Sequence, residues 1–251
     1  MRFFFLFVIA AAYFSTYSQS KFPYQCGEKL KFEIFFGPIG VGYAELIVQE
    51  LVKKNNKNTF HIVGKGRTAP FFDWFFKVRD VYETFIDTVE RVPVKFIRNV
   101  NEGGYVINQN YDFYHDQELV KTRDSMYVIP KNSQDMLSAF FFIRTLNNKK
   151  IKKAESFFIP IFLDEENYKL KINYLDNEIV ETKWGNINCM VFQPQMQEGR
   201  VFKDGSKIKV WISDDNNRLL VKVETEVWAG KIRAILIDGS EFKESLSIIK
   251  E

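Results

Sequence analysis

The chain has 251 residues, 46% hydrophobic and 16% aromatic, with 26 phenylalanines. Its 35 Lys and Arg nearly cancel its 32 Asp and Glu, leaving a formal net charge of +3, and the signs alternate along the chain. That balance argues against a nucleic acid or a membrane surface held by bulk charge, and the length suits one large β domain or two small ones.

The N-terminus reads as a secretory signal peptide. Arg2 supplies the positive start, Phe3 to Phe14 is an unbroken apolar run, and Ser18-Gln19-Ser20 offers small residues for cleavage after Ser20. The run is shorter than the roughly 20 apolar residues of a membrane-spanning helix; an uncleaved anchor is the alternative. No later stretch is long and apolar enough to cross a membrane, so the mature chain is not expected to be an integral membrane protein. It is expected to be exported, to the periplasm or to the outer membrane as an associated protein. Cys26 follows Tyr24-Gln25, whereas a lipid-modified cysteine wants small residues before it. Cys26 and Cys189 either pair in an oxidising compartment or stand as two separate small residues.

From Glu28 onward the dominant period is two. Leu30, Phe32, Ile34 and Phe36 alternate with Lys31, Glu33 and Phe35; Leu170, Ile172 and Tyr174 alternate with Lys169, Lys171 and Asn173. This marks strands with one buried and one wet face, as antiparallel sheets allow. Turn signals such as Gly37-Pro38-Ile39-Gly40, Lys54 to Asn58 and Glu102-Gly103-Gly104 separate them, giving about fourteen strands between Glu28 and Lys250. No Gly/Ser/Pro linker interrupts the series, so residues 21–251 read as a single domain. The predicted fold is mainly β: one antiparallel β-barrel or curved half-barrel.

Three segments depart from that pattern. Residues 69–76 are almost wholly aromatic and short enough for a helical turn, so they are expected to be buried or in contact with something. Residues 134–144 carry apolar side chains at helical spacing after Ser133 or Asp135 as a cap, and predict one helix covering the barrel. The basic cluster Lys149-Lys150 and Lys152-Lys153 reads as a solvated loop.

The usual catalytic groups are sparse. His61 sits on a strand opposite Phe60 and Ile62, and His115 ends a strand beside Asp116; both read as surface or edge residues rather than general bases. Two histidines and two cysteines without close spacing give no zinc pattern. Asp214-Asp215-Asn216-Asn217 lacks the glycine and distal glutamate of a calcium loop and reads as a turn. No phosphate-binding loop or nucleophile elbow is present, and no cofactor or metal is expected.

Several segments together resemble a bacterial exported family, domain-of-unknown-function family 3108. They are Gly27-Glu28-Lys29-Leu30, the glycine-punctuated hairpin Gly37 to Ala44, Phe75 to Glu83 with Asp87, Glu102-Gly103-Gly104, Asp135 to Phe140, Glu178, Gly185, Trp211 to Asp215 and Gly230-Lys231-Ile232. They run in order through nearly all of the mature chain. Leu220 stands where the family pattern favours proline. The resemblance implies export and an antiparallel β fold, and supplies no catalytic residues. The hairpin from Trp211 to Val223 is also similar to one in periplasmic lipoprotein carriers and related lipid-binding half-barrels, a fold-level analogy.

Three functions fit these residues. In the first, a curved sheet lines a groove for a lipid, an acyl chain or another apolar envelope molecule, with Phe71, Phe72, Trp74, Phe75, Phe140 and Phe141 as the lining. In the second, the rings fill the barrel and the protein contacts an envelope protein partner through a surface that includes Tyr105, Tyr111, Phe113 and Tyr114. Under either, Lys77, Arg79, Asp80, Glu83 and Asp87 form structural ion pairs, with Arg79 and Asp80 as a possible interior pair. In the third, Asp80, Glu83 or Asp87 lines an open cleft as an acidic hydrolase acting on glycan.

Overall fold

The structure, a computed structural model, describes residues 22–195, 208–227 and 230–249; the expected signal peptide lies outside them. Among the described residues fifteen antiparallel strands form one sheet. They are β1 (Lys29–Phe36), β2 (Ile39–Lys54), β3 (Lys57–Thr68), β4 (Arg79–Asp87), β5 (Pro93–Glu102), β6 (Tyr105–Tyr114), β7 (Leu119–Lys121) and β8 (Met126–Val128), then β9 (Ser156–Leu163), β10 (Glu166–Thr182), β11 (Gly185–Gln195), β12 (Lys209–Ser213), β13 (Leu220–Val227), β14 (Gly230–Ser240) and β15 (Ile248–Ile249). Between β8 and β9 lie two helices, α1 (Met136–Thr145) and α2 (Asn148–Ala154). The sheet runs β8 through β1 in sequence order, then β14 down to β9, with β15 paired to β11.

The hairpins follow their turn chemistry. Asn55 and Asn56, Asp164 and Glu165, and Gly103 and Gly104 all adopt positive φ, which lets a two-residue turn match the twist of its strands.

Among the described residues the sheet is not closed by backbone pairing. Side chains from the β9–β10 turn bridge the seam instead: Asp164 accepts from Arg98 at 2.9 Å and from Gln109 at 3.1 Å, and Glu165 accepts from Tyr127 at 2.6 Å. Beneath them Phe162 packs with Phe96, Tyr111 and Phe113. The free edge of β9 is covered by Gln134, whose N–H donates to Pro160 and whose carbonyl accepts from Phe162. An edge strand is thereby denied to other chains.

That same segment leads α1 into the barrel. Asp135 caps the helix, accepting from the N–H groups of Leu137 and Ser138, while the Ser138 hydroxyl accepts from the Asp135 N–H. The Thr84 hydroxyl donates to its second oxygen at 2.6 Å, tying the cap to β4. Burial pushes the Asp135 carboxyl up to about 6, against the pull of these hydrogen bonds. Further along, Phe141 is fully buried against Tyr24 within a cluster that includes Phe22, Leu30, Phe60, Ile62 and Leu219. Arg144, also fully buried, makes a two-pronged ion pair with Glu28 at 2.6 and 2.9 Å and donates to the Asn217 carbonyl at 2.8 Å.

Two expectations need correction. The covering helix has a companion: Lys149 to Lys153 belongs to α2, not to a loop. Asn147 caps it, Ile151 buries its one apolar side chain, and Lys152 reaches Asp214 at 2.6 Å. A single buried isoleucine among lysines gives too weak an apolar stripe to read as a helix. Tyr111 and Phe113 point into the seam cluster and are not surface residues, whereas Tyr105 is exposed.

Cys26 is exposed and Cys189 buried, each as a free thiol. Asp214 and Asp215 sit in a turn in which Asp215 accepts from the Ser213 hydroxyl and the N–H groups of Asn217 and Arg218.

Candidate functional site

The register puts the turns after β1, β3 and β5, and the start of β14, at the same end of the barrel. Phe36 pairs with Ile39 and Ile232, Arg67 with Arg79, and Glu102 with Tyr105, while Val78 bridges to Glu102. The core around α1 fills the opposite half. Above Leu137 and Phe140 the inner face stays open.

Small residues open it. Gly64 and Gly66 lie on the inward register of β3; Gly66 pairs with Ala44 on one side and Asp80 on the other. A Cβ at Gly66 would find only the Asp80 side chain, at 3.8 Å. A cavity of about 540 Å³ lies over Ala44, Gly64, Gly66 and Ala234, walled by Leu137 and Phe140. A second of about 620 Å³ continues it towards the end of the barrel, lined by Ile34, Phe36, Phe72, Phe75 and Phe76, and shares Gly66 and Asp80 with the first. Together they form one trough with apolar walls, of the size that small-molecule sites have.

One stretch of wall is polar. Asp80 is buried and accepts from the Asn101 N–H at 3.1 Å. Glu102 hydrogen-bonds to it, and partial desolvation together with the Asp80 charge holds the Glu102 carboxyl above its ordinary range.

The segment between β3 and β4 forms the lip. Pro70–Phe72 makes a 3-10 turn. Asp73 accepts from the Thr68 hydroxyl at 2.6 Å and from Arg79 at 2.9 Å, and these bonds hold its carboxyl well below the usual range, at about 2. The Gly103 N–H donates to Lys77 at 2.8 Å, and the Phe76 ring lies so close to Gly103 that a Cβ there would collide with it.

The six expected lining residues therefore divide. Phe72, Phe75 and Phe140 line the trough, Phe141 lies in the packed core, and Phe71 and Trp74 point to solvent at 74% and 80% exposure. Of the two alternatives expected for residues 69–76, burial or contact with something, burial does not hold for Phe71, Trp74 and Phe75, the last of which is 78% exposed. Backbone and Asp73 hydrogen bonds order this segment, so its rings need not pack inward.

The five charged residues also separate. Arg79 turns to Asp73 and not to Asp80. Glu83 meets His61 at 2.7 Å on the outer face, where His61 stacks on Phe85. Asp87 meets Lys57 at 3.2 Å and accepts from the Val89 N–H, and Lys77 is exposed. Of the three carboxylates offered for hydrolysis only Asp80 lines the cavity. Burial lowers the proton affinity of His115, which contacts the Pro93 carbonyl at 2.9 Å. Among the described residues no group of three or more His, Cys, Asp and Glu is arranged to hold a metal ion.

The family described as "Protein of unknown function (DUF3108)" matches residues 31–237. The chain belongs to that family. The DUF3108 match spans both the core half and the trough half of the sheet. A beta-barrel-like protein of the DUF1849 family from Brucella abortus shares the fold, with a TM-score of 0.59 at 10% identity over 88% of this chain and 100% of its own. An exported-protein candidate with a YmcC-like fold from Bacteroides fragilis aligns with a TM-score of 0.36 at 11% identity, over 88% of this chain and 98% of its own. A lipoprotein candidate from Parabacteroides distasonis aligns at 0.40 and 9%, over the same shares. No curated protein matches the chain. Among the described residues no helix is long and apolar enough to cross a membrane.

The trough floor was missed in the sequence. Its signal is Gly64-Lys65-Gly66, two glycines on the same face of one strand, where a backbone is left bare for something to approach.

Proposed function

We propose that this DUF3108 protein is exported to the periplasm and binds one apolar chain, of acyl type, in the trough. The observation that carries the reading is the run of Ala44, Gly64, Gly66 and Ala234 beneath two joined cavities with apolar walls. Each methylene buried there contributes about 0.8 kcal/mol. About ten would outweigh the entropy of ordering the chain and leave micromolar binding. Asp80 with Glu102 offers a place for a hydroxyl or amine at the polar end of the ligand to donate a hydrogen bond.

The test is titration of the mature protein with a fluorescent acyl probe, alongside a Gly66→Phe variant. The added Cβ would meet only the Asp80 side chain, at 3.8 Å, and the ring is expected to enter the trough. The parent is expected to take up the probe with micromolar affinity, and the variant to lose uptake while melting within a few degrees of the parent. Equal uptake by both would overturn the reading. No uptake by either would favour a role in contact with an envelope protein instead.

A further inference from the structure

The trough accounts for Phe72, Phe76 and one side of Phe75, but not for Phe71, Trp74 or the exposed side of Phe75. Phe71, Trp74 and Phe75 stand at 74%, 80% and 78% exposure, and Ile39, Tyr105 and Val106 are exposed at the starts of β2 and β6, next to the adjoining turns. Three separate connections thus place large apolar side chains at one end of the barrel. A patch of this kind in water marks a contact surface.

The rings are held out rather than left loose. Thr68, Asp73 and Arg79 fasten the base of the segment, and the Phe75 and Phe76 N–H groups both donate to the Phe72 carbonyl. Among the described residues the ring contacts of Phe71 and Trp74 are with their own segment, Phe72 at 5.2 Å and Phe75 at 6.1 Å. Exposed Phe and Trp side chains at a tip, with Tyr105 at the same end of the barrel, suit the boundary between acyl chains and headgroups, where aromatic belts gather. The exposed cations Arg67, Lys77 and Arg79 stand just behind the tip. Among the described residues neither Arg67 nor Lys77 forms a salt bridge with a carboxylate; Arg67 packs over the Tyr43 ring at 5.4 Å, and both are exposed where phosphate groups can approach.

We propose that this tip docks on a lipid bilayer, dipping Phe71, Trp74 and Phe75 into the interface with Arg67 and Lys77 against the headgroups. The chain as a whole carries too little charge for bulk attraction; a few rings supply the binding. The tip also borders the mouth of the trough through Phe72, Phe75 and Phe76. A chain leaving the bilayer would therefore enter the trough without crossing water. Docking does not depend on what the trough holds.

The experiment is sedimentation of the mature protein with phosphatidylcholine vesicles, with and without phosphatidylglycerol, and with brominated lipids to quench tryptophan emission. Binding to both vesicle types is expected, tighter with phosphatidylglycerol. Losing one ring from the interface lowers partitioning about tenfold, so Trp74→Ser with Phe75→Ser should abolish sedimentation while leaving the melting temperature unchanged. Trp74→Phe should still bind but lose the quenched emission. Gly66→Phe should bind vesicles like the parent, even if it fails to take up an acyl probe. The proposal is overturned if the parent does not sediment, or if the double variant sediments equally well. It is also overturned if the rings instead join two copies of the chain in a vesicle-free solution, a dimer that the double variant disperses.

Discussion

The two halves of the barrel use the same side chains in opposite ways. In the half filled by α1, Phe22, Phe60 and Phe141 pack around Tyr24, and the Arg144–Glu28 pair sits among them. In the other half Phe71, Trp74 and Phe75 meet water, and glycine and alanine replace the bulky residues of the inner face. Hydrophobicity alone does not decide which ring is core. Position along the strand does, because α1 reaches only part of the way up the barrel, from Asp135 at Thr84 to Arg144 at Glu28.

The comparison breaks most sharply at the buried ion pair. Glu28→Gln should cost about 3–5 kcal/mol, because it leaves the Arg144 guanidinium charged and unmatched in the core. Urea unfolding would measure it. Phe141→Ala should cost about 3–5 kcal/mol through the cavity it leaves, whereas Phe75→Ala, at the open end, should stay within about 0.5 kcal/mol. Equal losses would mean that the two halves are not distinct.

Asp135 gives a smaller, pH-dependent effect. Its carboxyl rises from 3.8 to about 6 on burial, so the folded state holds the proton more tightly than the unfolded chain. That contribution is complete below about pH 4 and disappears as the pH rises through 6, a change on the order of 3 kcal/mol. Asp135→Asn can keep the cap and cannot titrate. The difference in unfolding free energy between parent and variant should therefore change across this window; a constant difference would place Asp135 in a more solvated setting. Smallest of all is the expected effect of Gly66→Phe on stability, since the added ring enters a trough and displaces nothing packed.

The alternation in β1, β3 and β10 was legible because a half-buried sheet writes its period directly into the residues. The start of α1 was legible from Asp135, since an acidic cap ahead of an apolar run has few other uses. The Arg144–Glu28 pair was not, because its members lie 116 residues apart and nothing local to either requires the other. The division of the aromatics was hidden for a similar reason. Phe140 and Phe141 are neighbours, yet one lines the trough and the other is sealed in the core, and only the helix axis relative to β2, β3 and β4 separates them. Asp80 and Arg79 are neighbours too, but successive strand positions face opposite sides of the sheet, which sends Arg79 to Asp73 and Asp80 to Glu102.

The most direct test of the open half is native mass spectrometry of the mature chain, purified from an envelope fraction without detergent, with organic extraction of whatever is bound. A reproducible added mass that extracts as lipid, and is absent from Gly66→Phe, is the expected result. A bare protein mass, together with no uptake of an acyl probe, would contradict the account and leave the trough without an apolar occupant.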